Sequence, residues 1–127
     1  MVVLVGKDSP FFDREMAKRY FELNKDNLDD GDGFEALVDA GVFYNIYDKG
    51  YTGSIFCYQS EDGYYYLGGY SLRGHHKGNI EAIKRVSSMY DEVWAETRHK
   101  TAVIALLRAG FKWYNRDKRL LRRIKNE

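Results

Sequence analysis

The 127-residue chain is 44% hydrophobic and 31% charged with a single proline, which excludes a disordered polymer and leaves room for one core, so residues 1–127 read as one domain. Its longest apolar run, Ala102 to Leu107, is too short to span a membrane, and Lys7 and Asp8 interrupt the apolar start too soon for a signal-peptide core. The net charge of +1 hides a polarity, because residues 1–63 carry 13 acidic and 6 basic side chains and residues 64–127 carry 14 basic and 6 acidic; that excludes a uniformly basic nucleic-acid binder and points to two partners.

Val2 to Val5, β-branched and closed by Gly6, read as a first strand. Ser9 then offers an N-cap and Pro10 a first helical position, where its missing N–H costs nothing. Phe12, Met16, Tyr20 and Leu23 recur at helical spacing, which predicts an amphipathic helix ending near Asn24. The stretch Asp26 to Gly33 is too acidic to pack, and a short helix, Phe34 to Ala40, follows it and is closed by Gly41. From Val42 the period becomes two. Val42, Tyr44 and Ile46 alternate with Phe43, Asn45 and Tyr47 in a strand that turns at Asp48-Lys49-Gly50. Ser54 to Gln59 is a second such strand, and Ser60 to Gly63 the next turn. Tyr64 to Leu72 is a third, whose paired glycines, Gly68 and Gly69, mark a bulge or a close backbone approach.

After a basic, glycine-containing turn, Arg73 to Gly78, the helical period returns, with Ile80, Ile83, Val86, Tyr90 and Val93 on one face. Val93 to Thr97 reads as a short strand. Thr101 to Ala109 is apolar almost all round, which predicts a deeply buried helix, ended by Gly110. Phe111 to Asn115 and Lys118 to Ile124 form a closing hairpin, so the order is β-α-α-β-β-β-α-β-α-β-β.

The turn that enters the second long helix holds the most chemistry. Several N–H groups there point at one spot, where the helix adds partial positive charge. Arg73 and Lys77 supply full charges, and Asn79 sits in the first turn. A phosphate or pyrophosphate fits such a nest; a plain connecting loop has the same composition.

The run Tyr64 to Lys84 (YYYLGGYSLRGHHKGNIEAIK) resembles the acyl-CoA-binding segment of the GNAT N-acetyltransferase superfamily, in which an Arg/Gln-x-x-Gly-x-Gly/Ala loop follows the fourth strand. Arg73 falls on the first position and Gly78 on the last, with His76 in place of the middle glycine. Val93 to Phe111 (VWAETRHKTAVIALLRAGF) is similar to the family's fifth strand and next helix, whose pattern is Asn-x-x-Ala…Gly-Phe. His99 takes the Asn position, Ala102 the Ala, and Gly110-Phe111 the final pair. The element order is also the family's, so the resemblance covers nearly the whole chain.

That resemblance implies an α/β protein of the GNAT (acyl-CoA N-acyltransferase) fold, a mixed twisted sheet flanked by helices. It implies acetyl-CoA as co-substrate, with the pantetheine arm in a gap between parallel fourth and fifth strands. Leu67, Gly69, Leu72 and His99 would line the arm, and Arg73, Gly74, His75, His76, Lys77, Gly78 and Asn79 would hold the pyrophosphate. The acceptor would enter between the first two helices and the closing hairpin, beside Asp26, Asp29, Asp30, Asp32, Glu35 and Asp39, which favours a cationic amine or a protein lysine; a solvated acidic loop with no ligand has the same composition.

Acyl transfer needs a base for the ammonium proton and a donor for the departing thiolate. The family's usual donor is a tyrosine four residues before the Gly-Phe glycine, and that position is Leu106 here. Tyr114 is a substitute donor or a packing ring, and Glu96 is the one carboxylate close to the implied cleft, a base or a strand-end cap. Such departures fit a diverged enzyme or a GNAT-like protein that kept the fold, lost the reaction and works through a protein partner. Small chains of this kind resemble GNAT-like proteins of tailed bacteriophages.

Three further features complete the reading. The lone Cys57 excludes an internal disulfide and fits the cytoplasm, and mid-strand it reads as a small core residue. His75, His76 and His99 are not expected to form a metal site. From Arg108 to Glu127 there are eight basic and two acidic residues. Arg116, Lys118, Arg119, Arg122, Arg123 and Lys125, with Trp113 and Tyr114 for stacking, make nucleic-acid binding a third-ranked use behind a solvated hairpin face.

Overall fold

The computed structural model describes residues 1–28, 33–72 and 74–126, with the backbone alone for Asn27 and His76. Its elements are β1 (Val3–Gly6), α1 (Arg14–Asn24), a 3-10 turn (Lys25–Asn27), α2 (Gly33–Asp39), β2 (Gly41–Tyr47), β3 (Tyr51–Gln59) and β4 (Tyr65–Ser71). They continue with α3 (His76–Ser87), β5 (Glu92–Glu96), α4 (Lys100–Arg108), β6 (Lys112–Asn115) and β7 (Leu120–Ile124). All strands join one seven-stranded sheet in the order β1-β2-β3-β4-β5-β7-β6. Only the β4–β5 pair is parallel, because α3 carries the chain back across the sheet between them.

Strand alternation sends residues to two cores. One face packs Ile46, Ile55, Cys57, Leu67, Val93, Ala95 and Leu121 with Ala82 and Val86 of α3 and Leu106 of α4. The other packs Phe43, Phe56 and Tyr70 against Ala17 and Phe21 of α1 and Phe34, Leu37 and Val38 of α2. The second core takes residues from β2 to β4 and none from β5 to β7, among those described. Polar atoms inside it are paired in series: Tyr51 Oη and Ser54 Oγ are 2.8 Å apart, and Ser54 Oγ donates to Asn45 Oδ1 at 2.8 Å. Asn45 Nδ2 donates to the Asp13 carbonyl, and Tyr70 Oη to the Ala17 carbonyl.

Several local expectations are corrected. α1 begins at Arg14 rather than Pro10, because Asp13 Oδ1 accepts from Met16 N at 2.9 Å and caps it. Ser9 instead closes a turn, accepting from Phe11 N on Oγ and from Phe12 N on its carbonyl. The buried stripe of α1 is Ala17 and Phe21, and Leu23 is 71% exposed. Gly41 opens β2 rather than capping α2, and a Cβ there would run into the Cys57 carbonyl. α3 begins at His76, inside the stretch expected to be a turn, ends before Tyr90, and buries Ala82 and Val86. α4 is one-sided rather than deeply buried: Val103 and Leu106 face the core, but Ile104 and Leu107 are 40% and 41% exposed. Gly110, with φ +104, ends α4 as expected. No described helix is long and apolar enough to cross a membrane.

Candidate functional site

β4 and β5 share one bridge, Tyr66 opposite Trp94, and among the described residues no further pairing joins them toward their C-terminal ends. Leu72 N donates to Thr52 O in β3 at 2.8 Å, so antiparallel alternation turns the main chain of Leu67 and Gly69 the other way, toward β5. Past the bridge no strand partner meets Gly69 on that side. The glycine pair forms no bulge, because the register with β3 runs unbroken through Phe56 opposite Gly68 and Ile55 opposite Gly69. Its reason is space. A Cβ on Gly68 would stand 2.6 Å from the Phe56 ring, and one on Gly69 would stand 2.8 Å from Ser54 O.

The chain leaves β4 for the start of α3. Gly74 has φ +88 and open space around it, a conformation that L side chains rarely adopt. His75 is the N-cap and makes no side-chain capping bond. Asn79 N donates to His75 O at 3.1 Å, so the amides of His76, Lys77 and Gly78 precede the first bond of that ladder and lack a helical acceptor. No acidic residue lies in this first turn. Two expectations change. The Asn79 amide is already spent, and its Nδ2 donates to Ser71 Oγ at 3.0 Å, tying the end of β4 to α3. Gly78 is buried, and a Cβ there would stand 3.4 Å from Val2 and 3.7 Å from Asp48, so its Cα faces packing rather than a ligand. Arg73 lies outside the described residues, as does the His76 side chain.

His99 is the exposed N-cap of α4, and its loop leaves β5 at the same end of the sheet as the α3 turn leaves β4. Leu106 belongs to the core beneath. Tyr114 is 58% exposed on the opposite face, with its ring 4.7 Å from that of Trp94.

That opposite face carries what sequence reasoning missed. Tyr64, Tyr66, Trp94, Tyr114 and Leu120 line an open depression of about 210 Å3 beside the bridge that joins β4 and β5. Arg122, opposite Trp94 in β7, lies 5.4 Å from the Trp94 ring and 5.0 Å from the Tyr114 ring. Glu96 sits two residues beyond Trp94 on the same face, opposite Leu120, which brings it to the rim. Glu92 Oε1 accepts from Trp94 Nε1 at 2.7 Å and holds the indole. These residues lie on four strands, so only their alternation hinted that they share a face. A second hollow, of about 380 Å3, lies at the other ends of β4 and β5, between Gly63–Tyr65 and Met89–Glu92.

The remaining candidates disperse. Glu35 is ion-paired with Arg14, which holds its carboxyl below the ordinary value, while Asp29, Asp30 and Asp32 lie outside the described residues. No three His, Cys, Asp or Glu among the described residues form a metal-binding group. Burial pushes the Cys57 thiol up to about 11, as a core residue requires. Trp113 and Tyr114 point to opposite faces, and Arg116 and Arg119 lie over the Trp113 ring, so the pair offers no joint stacking platform.

No family model matches the sequence, and neither does any curated protein sequence. Solved structures do match the fold. A GNAT-family acetyltransferase from Staphylococcus aureus Mu50 is 11% identical over 98% of this chain and 99% of its own, with a TM-score of 0.64. The Campylobacter jejuni N-acetyltransferase PseH, solved with acetyl coenzyme A, is 12% identical over 99% and 100%, with a TM-score of 0.65. The Vibrio fischeri ribosomal-protein-S5-alanine acetyltransferase is 12% identical over 99% and 93%, with a TM-score of 0.57. The chain has the GNAT acyl-CoA N-acyltransferase fold.

Proposed function

We propose that residues 1–127 form a single-domain, cytoplasmic, acyl-CoA-dependent N-acyltransferase that moves an acetyl group from acetyl-CoA to an amine, either a small cationic amine or a lysine side chain. The observation that carries this reading is the single bridge, Tyr66 to Trp94, that joins parallel β4 and β5 among the described residues, with a helix N-terminus following β4 and an open depression on one face of the bridge. In this reading the main chain of Leu67 and Gly69 takes the pantetheine arm and His99 closes it from α4, whereas Leu72, expected beside them, has its amide bonded to Thr52 O in β3. The amides from Gly74 to Gly78, with Arg73 and Lys77, hold the pyrophosphate by charge-assisted bonds, and Asn79 positions that turn through Ser71. Glu96 accepts the ammonium proton, the amine nitrogen bonds to the acyl carbon, and the carbon–sulfur bond breaks. Tyr114 gives the thiolate its proton, and the second proton of the newly bonded nitrogen restores the Tyr114 phenol.

Calorimetry with acetyl-CoA tests the binding half: saturable heat is expected, and none at millimolar ligand would overturn it. Lys77→Glu should weaken that binding without altering thermal stability. A second reading, a catalytically silent GNAT-fold protein with a protein partner such as bacteriophages encode, is favoured by Leu106 in the core and by the exposed Ile104 and Leu107 of α4. It predicts no free thiol released from acetyl-CoA over a broad amine panel.

A further inference from the structure

The acceptor side carries a chemical signature of its own. Four aromatic rings and Leu120 line the depression, and half-buried Arg122 lies against two of those rings, Trp94 and Tyr114. On the opposite face Arg123 donates to Ser87 Oγ and Arg85 to Glu81 and the Val2 carbonyl, whereas Arg116 and Arg119 of the hairpin lie over the Trp113 ring, away from the depression. Arg122 has no hydrogen-bond acceptor or carboxylate among the described residues, and the nearby Glu92 is engaged with the Trp94 indole. The two rings meet edge-on, 76° apart, and a guanidinium held against such rings by its π cloud keeps its N–H donors for another partner. Such donors match a carboxylate through two parallel hydrogen bonds.

We infer that the acceptor is an aromatic α-amino acid, bound with its ring among Tyr64, Tyr66 and Trp94, its carboxylate on Arg122 and its amino group toward Glu96 and the gap between β4 and β5. The inference rests on the acyl-transfer reading and names its substrate class. Arg122 and Glu96 are two positions apart along paired strands, about 7 Å, which two long side chains close around a zwitterion. A polyamine would set a second cation against Arg122, and like charges at that range repel. A ligand without a ring would leave the aromatic walls in water, and one without a carboxylate would leave the Arg122 edge unmatched.

The test uses the full chain carrying Trp113→Phe, so that Trp94 is the one indole, and follows its fluorescence during titration without acyl-CoA. L-phenylalanine should give a saturable change, and phenethylamine and L-alanine should each bind about tenfold more weakly or worse, having lost the carboxylate or the ring. Arg122→Leu should abolish the preference for phenylalanine over phenethylamine, and calorimetry on the unsubstituted chain should give the same order. Phenethylamine binding as well as phenylalanine with Arg122 intact would overturn the proposal, as would tighter binding of spermidine or no response to any probe. Binding of phenylalanine without acetyl transfer would sink the enzyme reading and leave the site; transfer to amines unaffected by Arg122→Leu would do the reverse.

Discussion

The sheet is covered on both faces from β2 to β4 and on one face from β5 to β7. α1 and α2 lie over β2, β3 and β4, with α3 on the reverse side, whereas among the described residues the hairpin half carries no helix on the face of Trp94 and Tyr114. The same residue type then does different work. Tyr70 of β4 is buried and its hydroxyl is committed to Ala17 O; Tyr114 of β6 is more than half exposed and borders a depression. An aromatic ring becomes core or exposed surface according to whether another element covers it, and the proposed binding groups gather where the cover stops.

Substitutions should separate the two halves. Phe43→Ala removes a fully buried ring stacked 5.8 Å from Phe56, and should cost about 3–5 kcal/mol in denaturant unfolding. Tyr114→Ala should cost under about 1 kcal/mol yet impair ligand binding, and equal losses at both sites would break the comparison.

Alkaline pH acts on the covered half. Burial raises Cys57 from 9.0 to about 11 and Tyr51 from 10.0 to about 12, and holds Tyr70 and Tyr90 above their ordinary values. Above pH 9 the unfolded chain therefore releases protons that the folded chain keeps. Stability is full below the unfolded values and should fall progressively from about pH 9 to pH 12. A flat pH–stability curve over that window would show that these groups are not shielded.

Gly68→Ala pushes a methyl group into the Phe56 ring and should cost about 1–3 kcal/mol, read as a lower thermal midpoint. Gly74→Ala meets open space, so its cost is the strain of φ +88 alone, about 1 kcal/mol. The smallest effect should be Tyr70→Phe, about 1 kcal/mol or less for one hydrogen bond to Ala17 O. A larger loss there would mean that the Tyr51–Ser54–Asn45 series depends on the Tyr70 hydroxyl as well.

The element order was legible because periods of two and of about three and a half residues alternate cleanly along the chain. Boundaries were less so. Ser9 and Asp13 are both competent caps, and only the docking of Ala17 and Phe21 on the sheet chose the later one. The even apolar spread of α4 could not say which side would be covered, so Ile104 and Leu107 were expected inside. The α3 turn was visible as a local composition, but the burial of Gly78 against Val2 and Asp48 joins residues distant in sequence.

By itself the sequence determined the strands and helices, the two alternating faces, and a charge polarity that follows the fold, acidic through β3 and basic from β4 onward. These are local properties, set by side-chain spacing and backbone preference. The tertiary structure alone decided that one bridge joins β4 and β5 among the described residues, that Phe56 rather than a bulge explains Gly68, and that Arg122 meets Trp94 and Tyr114. Each of those depends on which strand lies beside which and on which face is left uncovered, and a linear pattern carries no such neighbours.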